Sequence, residues 1–376
     1  MPTRKTIALP LLILLLLAGT ACQSQWAITL TEGDNPIGSI TPENVEFYIE
    51  NSDEEIATVP LGQFFFDNGY TLIDQIEITE ENSDPMTFTW GEIAESTALS
   101  PEGELTIGDA AHQPLSIEIT PSERLAEIDL SILDISPTVL AALGLPALPE
   151  AEGQSLLDTS AQNVVIILTD GTQYDKLQSM VAAGDLPFFA SQDKINCGIS
   201  VYPPITTSAS AALFTSTIAA YNGVYGYGYR STELTTLFDI VSENGGSAIA
   251  VEGASLPFNI RNAEIILSGD RDNNGYSDDN VYLNAMDVIQ SRLPDLLYIH
   301  FHEIDDMGHE YGENSTEYES ALIRVDQYIA DIVDLLPSDT LIVILADHGM
   351  HTTADGGNHG TLTAADMIIP VTLIQK

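Results

Sequence analysis

Residues 341–350 read LIVILADHGM, an apolar run that ends in an acid and a histidine. Two similar runs occur earlier, NVVIILTDG at 163–171 and DLLYIHFHEID at 295–305, and amphipathic stretches such as residues 315–336 separate such runs. Apolar runs that alternate with helical stretches predict a mostly parallel sheet covered on both faces by helices, an α/β/α sandwich. Ligands of such sheets bind at the carboxyl ends of the strands, so the polar residues there are the first functional candidates.

Composition excludes one large class of function. The chain has 376 residues, and 11 Lys and Arg face 56 Asp and Glu, which gives a formal net charge of −45. Proteins that bind nucleic acid through phosphate contacts need a basic surface, so we expect no nucleic-acid partner of that kind. The hydrophobic content of 44% is enough for one large core with a smaller accessory domain.

The N-terminus predicts export. Arg4 and Lys5 precede an apolar run over residues 6–22 that ends in small residues, which is typical of a signal peptide over residues 1–22. Cys22 resembles the lipid-modified cysteine of bacterial lipoproteins, although Gly19 stands where such signals usually carry leucine. We therefore expect an extracytoplasmic protein, either tethered to a membrane by a lipid on Cys22 or cleaved nearby and secreted.

The rest of the chain divides into two regions by pattern. Residues 23–122 contain short alternating segments between Gly, Pro, Asn and Asp turns, which predicts a small β-rich accessory domain without an assignable function. Residues 123–376 form the predicted α/β domain. In that domain, Ser136 and Pro137 open a helix that Gly144 ends.

Acids and histidines concentrate near the ends of the apolar runs. Asp170, Asp305 and Asp347 follow three of them, and for each one alone capping of the next helix is the favoured explanation. Six of the seven histidines lie in the last quarter of the chain: His300, His302, His309, His348, His351 and His359. Imidazole together with carboxylate suits zinc and similar metals, so the pattern favours a site for two metal ions.

Five stretches in order resemble a known superfamily. They are VVIILTDG at 164–171, PPITTSASAALFTS at 203–216, DDMGHEYG at 305–312, ILADHGM at 344–350 and GNHG at 357–360. Together they look like the alkaline phosphatase superfamily, particularly its type I phosphodiesterase and nucleotide pyrophosphatase branch, over most of residues 162–376. The resemblance implies an alkaline phosphatase-like sandwich and a hydrolase of phosphoric esters.

The resemblance also implies roles for single residues. It implies one metal held by Asp170, Asp347 and His348, and a second held by Asp305, His309 and His359, with zinc favoured for both. Thr206 falls where that family has its metal-bound nucleophile, although a helix N-cap is the competing role, and Thr207 and Ser208 are rival caps. His300, His302 and His351 match no family position and are expected to form hydrogen bonds or to pack.

Three departures from the family pattern stand out. Ala209 replaces an asparagine that relatives often place three residues after the nucleophile, and Ser216 replaces a glycine. The segment 124–158 resembles a piece that normally follows the last histidine ligand. This order suggests a circular permutation, which predicts that residues 124–158 pack beside residues 360–376.

The sequence is compatible with more than one class of substrate. Monoesterases tend to add a cationic clamp, and the few cations here, with Lys194, Arg230 and Arg261 as candidates, favour a small phosphodiester or pyrophosphate substrate. The alternatives are a phosphomonoesterase of the same superfamily and a metal-containing surface binding protein without turnover. Tyr225, Tyr227 and Tyr229 form either a wall for a base or aryl group, if they lie on a strand, or the rim of a glycine-rich turn.

A calcium loop is a separate candidate. Asp270, Asp272, Asn274 and Asp278 match the start of a calcium-binding loop, but Val281 stands where the bidentate glutamate belongs. An exposed acidic turn is the competing explanation.

Overall fold

The computed structural model describes residues 26–50, 56–271 and 273–376. The predicted signal at 1–22 and its Cys22 lie outside these residues. Among the helices described, none is both long and apolar enough to cross a membrane.

The N-terminal part consists of two small sheets with three short helices. A five-stranded sheet has the order β2-β1-β9-β4-β5 and a four-stranded sheet the order β3-β6-β7-β8. The strands are β1 (Ile28–Glu32), β2 (Asn35–Ile40), β3 (Val59–Pro60), β4 (Ile73–Glu80), β5 (Met86–Thr89), β6 (Thr97–Leu99), β7 (Leu105–Ile107), β8 (Ala110–His112) and β9 (Pro114–Pro121). The helices are α1 (Pro42–Glu50), α2 (Leu61–Asp67) and α3 (Trp90–Ile93).

An eight-stranded sheet forms the centre of the remaining chain, in the order β10-β12-β19-β16-β11-β15-β13-β14. Its strands are β10 (Leu130–Ser131), β11 (Asn163–Thr169), β12 (Asn196–Ile199), β13 (Ala248–Glu252), β14 (Glu264–Leu267), β15 (Leu296–Phe301), β16 (Thr340–Leu345) and β19 (Ile368–Gln375). Only β19 runs antiparallel to its neighbours, β12 and β16. A hairpin of β17 (His351–Thr353) and β18 (Gly356–Asn358) lies outside this sheet.

Helices cover both faces of the central sheet. They are α4 (Ile135–Ala142), α5 (Tyr174–Ala183), α6 (Pro187–Ala190), α7 (Thr206–Thr215), α8 (Ala219–Asn222), α9 (Leu237–Glu243), α10 (Asp278–Arg292), α11 (Glu303–Tyr311), α12 (Thr316–Leu335) and α13 (Ala364–Met367). Alternate residues of β11 enter different cores: Val164 and Ile166 pack with α4, α7 and α9, whereas Val165 and Ile167 pack with α5, α10 and α12. This two-sided burial explains why the strands read as continuous apolar runs. The predicted fold class, a sandwich with a mostly parallel sheet and a β-rich N-terminal part, is confirmed.

The N-terminal part is packed directly on the larger one. Its core, which contains Phe65 and Trp90, continues through Tyr202 and Leu362 in a single apolar cluster. The buried indole N–H of Trp90 donates to the Leu362 carbonyl at 2.9 Å. The N-terminal part therefore reaches Leu362, three residues after His359.

The segment 124–158 lies at the same edge of the central sheet as the end of the chain. β10 and β19 flank β12 on opposite sides. Ile135 and Val139 of α4 share an apolar cluster with Ile369 and Val371 of β19. This placement agrees with the packing expected of a permuted segment, and the permutation itself stays a prediction.

Candidate metal centre

The carboxyl ends of three neighbouring strands meet at one edge of the sheet. β11 lies between β15 and β16 in parallel register, so Thr169 pairs with Phe301 and Leu168 with Leu345. Asp170 directly follows β11, and Asp347 follows β16 after one further residue. Parallel pairing therefore brings together side chains that are far apart in the sequence.

Asp305 reaches the same edge by a different route from the one predicted. β15 ends at Phe301, and Asp305 lies in the first turn of α11 rather than at the strand end. Its spacing of four residues from His309 places both side chains on one face of this helix, with Oδ2 of Asp305 3.4 Å from Nε2 of His309. The run at 295–305 continues into α11, because its later residues follow the period of a helix and not that of a strand.

The six metal ligands that the family resemblance implies lie together. Asp170, Asp347 and His348 offer ligand atoms within 4.8 Å of one another, and so do Asp305, His348 and His359. His309 adjoins the second group, with its Nε2 3.1 Å from Nε2 of His359. His348 thus lies between the two groups.

The donor atoms of this cluster fit divalent cations. Asp170 Oδ1, Asp305 Oδ1 and Asp347 Oδ2 are buried oxygen atoms without a hydrogen bond of good geometry within the described residues, although Nε2 of His348 lies 3.2 Å from Asp170 Oδ1. Buried carboxylate oxygens normally have a partner, because their desolvation is otherwise uncompensated. Three such oxygens beside three imidazoles make the nitrogen and oxygen donor set that zinc and similar metals bind.

The charges of the three acids conflict without a cation. Burial opposes ionisation of Asp170, but hydrogen bonds from His300, His302 and His348 hold its pKa well below the usual range. Burial and the nearby charge of Asp170 raise the pKa of Asp347 to about 6 and raise that of Asp305 well above its usual value. A dication relieves this repulsion directly.

Two of the three histidines of the cluster have pKa values that are shifted in opposite directions. Burial opposes protonation of His348, but the charges of Asp347 and Asp170 raise its pKa well above the usual value. Burial and the neighbouring charges of His348 and His309 lower the pKa of His359 to about 2. His359 is therefore neutral, the form that ligates metals, and its Nδ1 lies 3.0 Å from the Pro204 carbonyl oxygen.

Thr206 is the first residue of α7, and its hydroxyl faces this cluster. Its Oγ1 lies 3.4 Å from Nε2 of His348. The N-cap position belongs to Ile205, and no side chain caps the helix. Thr207 and Ser208, the rival caps, donate instead to the carbonyls of Gly226 and Val224, both at 3.1 Å.

The other end of α7 explains one departure from the family pattern. Ser216 has φ of 58° and caps the helix in the left-handed conformation, where glycine is the usual residue. Its hydroxyl donates to the Leu133 carbonyl at 2.6 Å, which supports this conformation. Ala209 is fully buried and offers no polar group to a substrate.

A buried network lies behind Asp170, and sequence reasoning missed Glu252 within it. Nε2 of His300 is 3.1 Å from Asp170 Oδ2, and Nδ1 of His302 is 3.4 Å from the same atom. Both rings also contact the Glu252 carboxylate, His300 through Nδ1 at 3.2 Å and His302 through Nε2 at 3.0 Å. Glu252 ends β13, so the rule of examining polar residues at strand ends applies to it as well. His351 lies elsewhere, with Nδ1 2.8 Å from Asp366 Oδ1.

The tyrosine segment forms no strand. Residues 223–230 make an irregular turn, in which Tyr227 reaches Nε2 of His359 through its hydroxyl at 3.4 Å. Tyr225 and Tyr229 instead contact each other edge to face. The three rings therefore do not face one way, and the explanation as a glycine-rich turn holds.

The candidate cations contact groups outside the metal cluster. Lys194 pairs with Asp129 at 2.9 Å, and Arg261 pairs with Asp239 at 3.0 Å. Arg230 donates from Nε to the Tyr227 carbonyl at 3.4 Å.

The calcium loop stays a prediction. Asp272 lies outside the described residues. Asp270 accepts the backbone N–H groups of Asn274 at 3.1 Å and Gly275 at 3.0 Å. The buried Asp278 carboxylate accepts hydrogen bonds from the N–H groups of His302 and Glu303, both at 2.9 Å. It therefore stabilises the N-terminal end of α11.

Curated relatives match a short part of the chain. The human GPI ethanolamine phosphate transferase 3, catalytic subunit, is 40% identical over 68 residues, which are 18% of this chain and 6% of that protein. GPI ethanolamine phosphate transferase 3 of Saccharomyces cerevisiae is 44% identical over 66 residues, again 18% of this chain and 6% of that protein. The chain thus spans a small fraction of the length of these relatives.

Solved structures match at low identity. Murine ectonucleotide pyrophosphatase / phosphodiesterase 5 has a TM-score of 0.42 at 18% identity, with 51% of this chain and 58% of that chain covered. Phosphonoacetate hydrolase from Sinorhizobium meliloti 1021, in complex with phosphonoacetate, has a TM-score of 0.42 at 18% identity, with coverage of 52% and 59%.

A family model matches one part of the chain. Residues 254–368 match the model for type I phosphodiesterase / nucleotide pyrophosphatase. The matched range contains Asp305, His309, Asp347, His348 and His359. The resemblance of this chain to the type I phosphodiesterase and nucleotide pyrophosphatase family is therefore confirmed.

Proposed function

We propose that this protein is an exported, metal-dependent phosphoesterase that hydrolyses phosphodiester or pyrophosphate bonds with Thr206 as its nucleophile. The observation that carries the proposal is the cluster of three acids and three histidines at the carboxyl edge of the sheet, with unpartnered carboxylate oxygens and the Thr206 hydroxyl beside it. The proposal places two divalent ions there, with zinc favoured by the mixed nitrogen and oxygen donors.

Each proposed ion has its own set of residues. Asp170, Asp347 and His348 would hold one with Thr206, and Asp305, His309 and His359 would hold the other. When bound, such ions favour the deprotonated form of a hydroxyl and neutralise the charge that develops on phosphate oxygens.

The position of Thr206 at the start of a helix supports its proposed role. The first hydrogen bond within α7 runs from the Ala209 N–H to the Ile205 carbonyl, so the preceding N–H groups point out of the N-terminal end. Such groups bind phosphate oxygens. The Thr206 oxygen would form the bond to phosphorus as the bond to the leaving oxygen breaks, and water would then hydrolyse the phosphothreonine.

One feature supports a diester over a monoester. Lys194 and Arg261, two of the few candidate cations, are paired with acids outside the cluster. A doubly charged monoester would be bound less well by a site without such cationic contacts. An extracytoplasmic location, free or tethered by a lipid on Cys22, completes the proposal.

Phosphoryl transfer to an alcohol is a second candidate. The curated relatives are named as ethanolamine phosphate transferases, at 40% identity over 68 residues in the human protein. The same phosphothreonine would serve both reactions, because an alcohol can replace water as the second acceptor.

The test is hydrolysis of bis-p-nitrophenyl phosphate beside p-nitrophenyl phosphate by zinc-loaded and by chelated protein. We expect turnover of the diester that chelation abolishes and that added zinc restores. Turnover that is insensitive to the chelator would contradict the metal requirement. A folded protein that binds two ions but hydrolyses neither ester in the presence or absence of an alcohol acceptor would support a binding role.

A further inference from the structure

A cavity lies at the seam between the N-terminal part and the α/β part. Its volume is ≈ 170 Å³, and five aromatic side chains line it: Phe47, Tyr48, Tyr202, Tyr225 and Tyr229. We call it the aromatic pocket.

Both parts of the chain build this pocket. Tyr48 comes from α1, whereas Tyr225 and Tyr229 come from the turn that follows α8. Tyr48 and Tyr225 meet edge to face with ring centroids 6.5 Å apart, and Tyr225 and Tyr229 meet likewise at 6.4 Å. The predicted accessory region therefore supplies part of a cavity that the α/β part alone lacks.

The pocket adjoins the metal centre along the backbone. Gly360, which lines it, directly follows His359, and Pro203, which also lines it, lies three residues before Thr206. Gly360 has φ of 103°, so a side chain would be strained there. The pocket lining thus comes within three residues of both His359 and Thr206 along the chain.

The electrostatic character of the pocket favours a cation. Among the described residues that line it, none carries a charged side chain. Asp67 lies behind the lining: the Tyr48 hydroxyl donates to it, and Gln63 donates from Nε2 to its Oδ1 at 3.1 Å. The Asp67 carboxylate thus contacts Tyr48 directly, and the Tyr48 ring meets the ring of Tyr225.

We propose that the aromatic pocket binds the alkylammonium group of a phosphodiester substrate, as in a choline or ethanolamine ester. This inference rests on the proposed phosphoesterase function. Aromatic faces attract organic cations, and the Asp67 carboxylate behind the lining adds to this attraction. A ligand with further phosphates, such as a nucleoside triphosphate, finds no counter-charge in the lining.

The test compares a cation with its neutral isostere. Choline and 3,3-dimethylbutan-1-ol differ only in the charged nitrogen, and each is titrated by calorimetry into the zinc-loaded full chain. We expect choline to bind about tenfold more tightly, the scale of a cation–π contact supported by a carboxylate. Asp67→Asn should bring the two affinities close together, whereas the exposed Asp34→Asn should leave their ratio unchanged.

Matched tyrosine variants locate the site. Tyr225→Leu should lose most of the choline affinity and Tyr225→Phe should keep it, while Tyr221→Leu on the exposed face of α8 should have no effect. Equal affinity for the two ligands, or no saturable binding of choline, would overturn the inference. Both outcomes are independent of turnover, so they leave the esterase proposal to its own test.

Discussion

Glu252 is the residue on which the orientation of two histidines depends. It is 2% exposed, and its carboxylate contacts both His300 and His302. These contacts direct the second nitrogen of each ring toward Asp170, a proposed metal ligand. Residues that orient a ligand in this way commonly influence metal affinity.

Glu252→Gln should weaken zinc binding without unfolding the protein. A neutral glutamine holds the two imidazoles less strongly than the carboxylate does, so Asp170 would lose part of its support, and we expect zinc affinity to fall about tenfold to a hundredfold. Competition with a chromophoric chelator measures this affinity. Glu264→Gln, on the neighbouring strand and exposed, is the control, and equal zinc affinity in the two variants would refute the positioning role.

Asp278 makes stability depend on pH. Burial raises its pKa from 3.8 to about 6 in the folded protein. The folded state therefore holds the proton of Asp278 more tightly than the unfolded state does. The stability that this proton contributes is fully present below pH 4 and is lost as the pH rises through 6.

The free energy of unfolding of chelated protein should therefore fall as the pH rises. The difference between the two pKa values corresponds to roughly 3 kcal/mol between pH 4 and 7. Urea unfolding of Asp278→Asn should show a smaller decline over that range than wild type. The neighbouring Asp279→Asn should decline as wild type does, and identical pH profiles for wild type and Asp278→Asn would contradict the account.

At the scale of elements, the turn after β11 brings that strand end against α11. Gly171 has φ of 66°, and a Cβ there would lie 2.6 Å from Asp305 Oδ1 and 2.9 Å from Asp305 Cα. Gly184, at the end of α5, also has a positive φ, of 87°, but a Cβ there would meet no atom within 4 Å. Alanine variants of Gly171 and Gly184 can therefore separate the cost of a left-handed backbone from the cost of a steric clash.

Gly184→Ala should cost about 1 kcal/mol of unfolding free energy, from the left-handed backbone alone. Gly171→Ala should cost roughly 3 kcal/mol or more and should also reduce zinc affinity, because Asp305 must move. Urea unfolding and zinc titration measure the two effects. If both variants lose the same stability and keep zinc affinity, the close approach has no role.

The sequence predicted these elements unevenly. Continuous apolar runs located β11 and β16, so Asp170, Asp347 and His348 were predicted at strand ends. Asp305 was misplaced at a strand end, because Ile304 extends the apolar pattern of the run into the first turn of α11. The contacts of Glu252 with histidines 48 and 50 residues away depend on strand order, which a single sequence does not fix.

For the whole molecule, the N-terminal part is a component of the site as well as a neighbour. Its core is continuous with residues next to His359, and it supplies part of the aromatic pocket. Alternating segments predicted a β-rich region but gave no sign of this contact, because surfaces that meet between distant segments leave no periodic pattern.

Two tryptophan variants test this coupling. Trp90→Phe removes the donor to the Leu362 carbonyl and should cost roughly 1–2 kcal/mol of stability, since a buried acceptor loses its partner. Trp26→Phe removes a similar bond, to the Pro101 carbonyl, within the N-terminal part. We expect only Trp90→Phe to raise KM for the diester. An equal KM in both variants would show that the two parts act independently.

The most direct test of the central claim is turnover of bis-p-nitrophenyl phosphate by zinc-loaded Thr206→Ala beside zinc-loaded Thr207→Ala. Both threonines lie in the first turn of α7, but only Thr206 faces His348. If Thr206 is the nucleophile, its variant should lose kcat by at least about a hundredfold with two ions still bound, whereas Thr207→Ala stays active. Wild-type turnover by Thr206→Ala would contradict the account.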